Sequence, residues 1–148
     1  MNVTALCRQL LERDRVIAVV GWSIDARRPS HDVTAYMHAH GYRMIPVNPS
    51  YAGHYDATLA ATCYASLAQA AQALAAEGAA LQMVNVFRRA EAVPALVDEA
   101  LAVGARSLWL QQGVVHQDAA AVARHGGMDV VMDRCLKIEY ARALAKRP

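Results

Sequence analysis

The sequence lacks paired cysteines, apolar segments of membrane length and clusters of basic residues, and each absence argues against a class of protein. Its three cysteines, Cys7, Cys63 and Cys135, are widely spaced without a CxxC pair, so neither a disulfide framework nor a zinc knuckle is expected. The apolar runs are a few residues long, whereas a membrane helix needs about 20. The formal net charge is +2 without a lysine and arginine run, which argues against a nucleic-acid surface.

Length and composition favour one domain. With 148 residues, of which 55% are hydrophobic, the chain suits a single domain over residues 1–148 with a well-buried core. Arg8 and Glu12 interrupt the apolar residues near the N-terminus, unlike a secretory leader, so we expect a cytoplasmic protein. Residues 1–13 carry apolar side chains at helical spacing and are predicted to form a helix that packs on this domain.

Strand-like and helix-like segments alternate along the rest of the chain. Strands are predicted at 16–20, 43–48, 63–64, 81–87, 107–111 and 129–133. Helices are predicted from a cap at Ser30 to Gly41, from Ser66 to Gly78, from about Pro94 to Gly104, at about 117–126 and at about 136–146. Each parallel crossover needs a helix to return the chain. The pattern therefore predicts an α/β fold of the Rossmann type, a doubly wound, mainly parallel sheet of about five to six strands with helices on both faces.

Ligands of such sheets bind beyond the carboxyl ends of the strands, which directs attention to the loop after the first strand. Gly21 is its only glycine, whereas the dinucleotide fingerprint needs two more, so ordinary NAD binding is not favoured. Other donors can hold a phosphate: Ser23, Arg27, Arg28 and the amides of the helix predicted to begin at Ser30. The alternative is that both arginines are merely solvated. Trp22 either stacks on an adenine or forms a wall of the core.

The other strand ends carry further polar residues. Asn48 and Pro49 follow the second strand, where a nicotinamide-binding fold has an acid for the ribose, although an asparagine before proline is equally a turn former. A second arginine pair, Arg88 and Arg89, follows residue 87. The last two strands lead into Gln111, Gln112 and Gly113, and into Asp133 and Arg134. Asp133 and Arg134 are expected to pair with each other unless Arg134 faces the ligand.

Three segments carry a family resemblance: "VVGWSIDARRPSHDVTAYMHAHGYRMIPVNP", "VNVFRRAEAVPALVDEALAVGARSLWLQQGVV" and "DVVMDRCLKIE". Together they resemble the small, single-domain bacterial proteins of the CoA-binding family, which are similar to the CoA-binding domain of the succinyl-CoA synthetase alpha subunit. The resemblance implies that Ser23, Ile24 and Asp25 meet the CoA phosphates. It also implies that Gln111, Gln112 and Gly113 lie where the threonine-glutamate-glycine turn of the synthetase meets the cofactor.

The resemblance also has departures. Tyr51 stands where the synthetase has a lysine in a glycine-rich turn, so an arginine of the two pairs would have to replace that phosphate contact. The phosphorylated histidine of the synthetase belongs to a following domain that this sequence does not contain, so its ligase chemistry is not implied.

The sequence offers no catalytic constellation. No histidine has a partner three or four residues away, so no metal site is expected, and neither a GxSxG elbow nor a carboxylate pair occurs at the strand ends. Cys135 is the one reactive candidate, because it follows a strand, precedes a helix and neighbours Arg134; the alternative is a small packing residue. We therefore expect a binding protein rather than an enzyme.

The expected ligand is coenzyme A or an acyl-CoA, held through its phosphates at the carboxyl ends of the strands. One alternative is another adenine nucleotide, NAD(P) or ADP, in a sensor or regulatory subunit. A second is an interaction subunit whose pocket is vestigial, and an enzyme with Cys135 as nucleophile comes third. Homo-oligomers or a partner subunit are compatible with each of these, whereas nucleic acid and membrane are not expected partners.

Overall fold

The computed structural model describes residues 1–145. The helices are α1 Val3–Arg13, α2 Pro29–Ala39, α3 Leu67–Ala76, α4 Val93–Ala102, α5 Gln117–His125 and α6 Leu136–Ala143. The strands are β1 Val16–Val20, β2 Arg43–Val47, β3 Tyr55–Asp56, β4 Ala61–Thr62, β5 Met83–Val86, β6 Ser107–Leu110 and β7 Asp129–Val131. Within residues 1–145 no helix combines the length and the apolar composition that a membrane span requires.

Five strands form a parallel sheet in the order β2-β1-β5-β6-β7. The strand order reverses between β1 and β5, because the chain first adds β2 on one side of β1 and then crosses to the other side. The strand predicted at 63–64 is reduced to an isolated parallel bridge between Tyr64 and Val47 at the sheet edge. The residues just before it, β4, pair instead with β3 in a small antiparallel ribbon. The predicted α/β fold with a parallel sheet is confirmed.

Helices cover both faces of this sheet. Helices α3, α4 and α5 pack on the face formed by side chains such as Ala18, Val84 and Leu108. Helices α1, α2 and α6 pack on the opposite face, against Ile17, Val19 and Trp109. Alternate residues of one strand therefore enter two separate apolar cores, which explains why the strands read as continuous apolar runs in the sequence.

Helix α1 is anchored to the sheet by a buried carboxylate. Asp14 has no exposed surface, and it accepts hydrogen bonds from Arg13 Nε at 2.8 Å and from the Ser107 hydroxyl at 2.6 Å. Arg13 also bridges to Asp129 at 2.9 Å. The helix predicted for residues 1–13 is thus present, and its C-terminal end is tied to two strands by charged groups that sequence periodicity does not reveal.

The start of α2 differs from the prediction. The helix begins at Pro29 after Arg28, and Ser30 is not its cap. Proline suits a first helical turn because its missing N–H has no partner to lose there. Ser30 is buried instead, and its hydroxyl accepts a hydrogen bond from the Ser23 amide at 3.0 Å. At the other end of the chain α6 ends at Ala143, and the predicted end at Lys146 lies outside the described residues.

Candidate functional site

The ends of β1 and β5 meet closely at the point where the strand order reverses. Gly21 has a φ of +88°, and a β-carbon added to it would lie 2.5 Å from the Phe87 carbonyl oxygen. The same added carbon would lie 3.1 Å from Cδ of Arg88, so the arginine side chain crosses over this glycine. Glycine is therefore required here to let the two strand ends approach each other.

A groove of about 1020 Å³ opens above these strand ends, and we call it the main groove. Its walls come from the loop after β1, the start of α2, the segments after β5 and β6, and the start of α6. The lining residues are Ala26, Arg27, Arg28, Pro29, Asp32, Val33, Phe87, Arg88, Arg89, Gln111, Gln112, Gly113, Val114, Cys135, Lys137 and Ile138.

A smaller cavity of about 360 Å³ adjoins the main groove, and we call it the polar cavity. Its lining residues are Gly21, Ser23, Asp25, Arg28, Pro29, Ser30, Asn48, Tyr51 and Phe87. Arg28, Pro29 and Phe87 line both spaces, so the two form one elongated depression along the carboxyl edge of the sheet. The fold thus brings together twelve of the sixteen residues predicted for the site, whereas Trp22, Ile24, Pro49 and Arg134 line neither space.

Three arginines of this depression keep their charge available. Arg28, Arg88 and Arg89 are exposed, and the ion pairs found within residues 1–145 do not include them. Arg27 differs, because its guanidinium donates two hydrogen bonds of 3.0 Å to the carboxylate of Asp25. These bonds hold the pKa of Asp25 below its usual range. The cationic part of the depression is therefore formed by Arg28, which lines both spaces, and by Arg88 and Arg89 after β5.

Several amides of the loop after β1 are used internally, which leaves fewer of them for the predicted amide cradle. The amides of Asp25 and Arg27 donate to Ser23 Oγ at 3.1 Å and to Asp25 Oδ1 at 2.9 Å. Pro29 has no amide proton, and the His31 amide donates to the Arg28 carbonyl at 3.1 Å. The predicted amide cradle is therefore only partly available, and its contact with an anion stays a prediction.

The prediction that Trp22 stacks on an adenine is wrong for this structure. The indole is 1% exposed and lies within the apolar core under α2. It is sandwiched between two imidazoles, with ring centroids 5.9 Å from His31 and 6.0 Å from His54. The alternative, a wall of the core, is correct, because the indole packs in the same apolar core as Val19 and Val33.

Asn48 also has a structural role. Its side-chain nitrogen donates to the Trp22 carbonyl at 2.8 Å, and its Oδ1 accepts from the Ser50 amide at 2.9 Å. Both ends of the amide are occupied, so the predicted ribose contact is not supported, although the residue lines the polar cavity. Pro49 begins a short 3-10 turn after it and does not reach the cavity. Asn48 therefore acts as a turn former, which is the alternative that the asparagine before proline suggested.

The turn at 111–113 is held by Asp133. The Gly113 amide donates to Asp133 Oδ1 at 2.7 Å, and Asp133 itself adopts a φ of +59°. The predicted pair between Asp133 and Arg134 is therefore absent: Arg134 turns to the buried Glu139, with 3.3 Å between Nη1 and Oε1. Gln111 is 7% exposed and lines the main groove, and its Nε2 makes no hydrogen bond within residues 1–145. That amide is available to a ligand.

Cysteines differ in their access to the depression. Cys135 is 9% exposed and lines the main groove. Cys7 and Cys63 are buried in the core, and burial raises the pKa of the Cys7 thiol to about 11 and that of Cys63 above its usual value.

In the part of the chain that the structure describes, no group of three His, Cys, Asp or Glu side chains is placed to hold a metal ion.

Sequence reasoning missed the apolar wall of the main groove. Val33, Val114 and Ile138 line it, together with the ion pair between Lys137 and Asp32. The available signal was topological: the first crossover helix and the last helix lie on the same face of the sheet, so their starts meet at its carboxyl edge. Ile138, an apolar residue in the first turn of α6 that is 40% exposed, marks the place.

A parallel sheet wound on both faces, with a ligand-sized groove where the strand order reverses, defines a Rossmann-like α/β protein. The chain belongs to the CoA-binding family, because the family model described as a CoA binding domain matches residues 15–141. The further similarity to the succinyl-CoA synthetase subunit stays a prediction.

Relatives cover nearly the whole chain. A Bacillus subtilis (strain 168) protein, the uncharacterized protein YneT, is 36% identical over 134 residues, which cover 90% of this chain and 91% of that protein. The structure of cell-free ID.343 from Thermus thermophilus has a TM-score of 0.81 and 32% identity, covering 97% of this chain and 100% of that chain. A hypothetical protein from Pyrococcus horikoshii OT3 has a TM-score of 0.81 and 29% identity, covering 96% and 92%.

Proposed function

We propose that this protein binds coenzyme A or an acyl-CoA along the carboxyl edge of its sheet, without a catalytic site of its own. The observation that carries the proposal is the meeting of the polar cavity and the main groove at Arg28 and Phe87, next to guanidinium groups that form no ion pair within residues 1–145. A CoA molecule has the matching order of parts, because its phosphates lie between a nucleotide and a long, mostly uncharged arm. Membership of the CoA-binding family supports this ligand class.

The placement of the ligand follows from the lining. The polar cavity, with Ser23 and Asn48 in its wall, suits the nucleotide, while Arg28, Arg88 and Arg89 take the phosphates. The arm then runs through the main groove past Gln111, whose free Nε2 can donate to one of its carbonyls. NAD is a poorer fit, because the loop after β1 has one glycine and the Asn48 amide is already hydrogen-bonded to backbone.

A binding role without catalysis is supported by the pairing of the ionisable groups in the groove. Asp25 is held by Arg27, and Asp32 is held by Lys137 at 3.0 Å, so neither carboxylate is poised as a base. Cys135 has no histidine beside it in either cavity lining. We place the protein in the cytoplasm, where CoA and reduced thiols are found together, as a CoA-binding subunit or sensor.

Isothermal titration of the protein with CoA tests the proposal. Each charge-assisted hydrogen bond from an arginine contributes about 1.5–3 kcal/mol before solvent screening, so Arg28→Ala or Arg88→Ala is expected to weaken CoA roughly tenfold. Arg106→Ala is the matched control, because Arg106 is also exposed and precedes β6 at the opposite edge of the sheet. The control should bind CoA as the unmodified protein does.

Absence of binding at millimolar CoA would overturn the proposal. Equal affinities for the arginine variants and the Arg106→Ala control would overturn the placement of the phosphates, and would favour an interaction subunit with a vestigial pocket. ADP and NAD are titrated in parallel: if either binds as tightly as CoA, the arm contributes nothing and the ligand is a simple adenine nucleotide.

A further inference from the structure

We infer that the end of the main groove next to α6 holds an uncharged acyl chain, so that the preferred ligand is an acyl-CoA thioester and not free CoA. This inference rests on the proposed function, since it assigns a specificity to the same site. It concerns the part of the main groove that is lined by the segments after β6 and β7 and by Val33 of α2.

The lining of that end is apolar. Val33 of α2 is 4% exposed, Val114 is half-buried in the turn after β6, and the Cys135 side chain is 9% exposed. Ile138 of α6 stands beside them with 40% of its surface exposed. Four apolar side chains from three separate segments thus line the same groove as the cationic Arg28, Arg88 and Arg89. A ligand with an anionic end and an apolar end is complementary to that distribution.

The charges at this end of the groove are already neutralised. Lys137 Nζ lies 3.0 Å from Asp32 Oδ2, and this ion pair joins α6 to α2. A terminal carboxylate on the acyl chain would meet Lys137 already paired with Asp32, so this ion pair offers it no net positive charge. The geometry therefore favours a straight, uncharged chain over a dicarboxylic one such as succinyl.

The size of the groove leaves room for such a chain. Its volume of about 1020 Å³ lies at the upper end of the range of roughly 300–1,000 Å³ for sites of drug-sized ligands. The nucleotide of the ligand is assigned to the adjoining polar cavity, so this volume has the phosphates, the arm and its substituent to accommodate.

Calorimetric titration of the full chain with CoA, acetyl-CoA, butyryl-CoA, hexanoyl-CoA and succinyl-CoA tests the inference. Burial of one methylene strengthens affinity by at most about fourfold, and in an open groove we expect about twofold for each added methylene. Butyryl-CoA should therefore bind several-fold more tightly than acetyl-CoA, and succinyl-CoA no more tightly than CoA. Equal affinities along the neutral series, or tighter binding of succinyl-CoA than of butyryl-CoA, would overturn the inference.

A variant at the exposed wall makes the test local. Ile138→Asp is expected to abolish the gain in affinity from acetyl-CoA to hexanoyl-CoA, measured as the ratio of the two affinities within the same variant, so that any change in the affinity for CoA itself cancels. Val122→Asp is the matched control, because Val122 is 52% exposed on α5 at the opposite face of the sheet; it should keep the full gain. Ile138→Ser repeats the measurement without a charge, and a full acyl gain in both Ile138 variants would overturn the assignment.

The failures of the two proposals are distinguishable. If no CoA compound binds, the proposed function fails and the acyl assignment fails with it. If CoA binds through Arg28 and Arg88 but the acyl series is flat, only the acyl assignment fails.

Discussion

Replacing Gly21 by alanine introduces one methyl group at the point where β1 and β5 meet. The residue adopts a φ of +88°, and the left-handed conformation costs a non-glycine residue roughly 1–2 kcal/mol. The new β-carbon would also lie 2.5 Å from the Phe87 carbonyl oxygen, where ordinary contacts begin near 3.4 Å. Backbone must shift to relieve this overlap, and overpacking of this kind costs about 1–3 kcal/mol. We expect Gly21→Ala to lower the free energy of unfolding by about 2–5 kcal/mol.

Gly53→Ala separates the two contributions. Gly53 has a φ of +87°, and a β-carbon there would meet no atom within 4 Å, so this variant carries the conformational cost without the overlap. It should lose only about 1–2 kcal/mol. Urea denaturation followed by tryptophan fluorescence measures both variants, since Trp22 and Trp109 are both buried in the fold. Equal losses for Gly21→Ala and Gly53→Ala would refute the reasoning that the strand ends need a side chain without a β-carbon.

Three further predictions concern stability, pH and access to the groove. Asp14→Ala should destabilise the fold by about 3–5 kcal/mol in urea, because it leaves Arg13 and the buried Ser107 hydroxyl without their shared acceptor; a loss below 1 kcal/mol would contradict the anchoring of α1. Burial raises the pKa of Tyr42 from 10.0 to about 12. The tyrosine of the unfolded chain therefore ionises at a lower pH than that of the folded chain, and the free energy of unfolding falls as the pH rises from 10 to 12. Tyr42→Phe should flatten that part of the stability curve, and an unchanged curve would exclude the assignment. Alkylation by iodoacetamide, mapped by peptide mass spectrometry, should modify Cys135 before Cys7 and Cys63, and CoA should slow it; modification unaffected by saturating CoA would place the ligand elsewhere.

The architecture could be predicted from the sequence because its signals are local. A largely β-branched run such as 16–20, a capping serine such as Ser66 and a glycine such as Gly78 after a helix report conformations of neighbouring residues. The cap at Ser30 was wrong, because a local pattern cannot show that the hydroxyl faces the Ser23 amide across the loop. The strand predicted at 63–64 was wrong for the same reason: whether a segment joins the edge of a sheet depends on how many residues pair with the neighbouring strand, and here only Tyr64 pairs with Val47.

The candidate site was predictable only in outline. The rule that ligands lie at the carboxyl ends of strands selected the right segments, and most of the residues named there line one depression. Trp22, Asn48 and Arg134 have other roles. Trp22 stacks on His31, Asn48 donates to the Trp22 carbonyl, and Arg134 pairs with Glu139. The sequence separations of these pairs follow no helical or strand period, so a local pattern does not reveal them. That the chain forms one domain over residues 1–148 and binds CoA without catalysing a reaction stays a prediction.

The sequence by itself determined which segments become strands and helices, and it placed two arginine pairs at the edge where a ligand can bind, because periodicity and turn residues act over a few neighbours. Only the tertiary structure decided which of those arginines keep their charge free, since Arg27 is neutralised by Asp25 while Arg28 and the pair after β5 are not. It also decided the apolar wall from α2 and α6, because packing of distant helices on one face of the sheet brings their starts together.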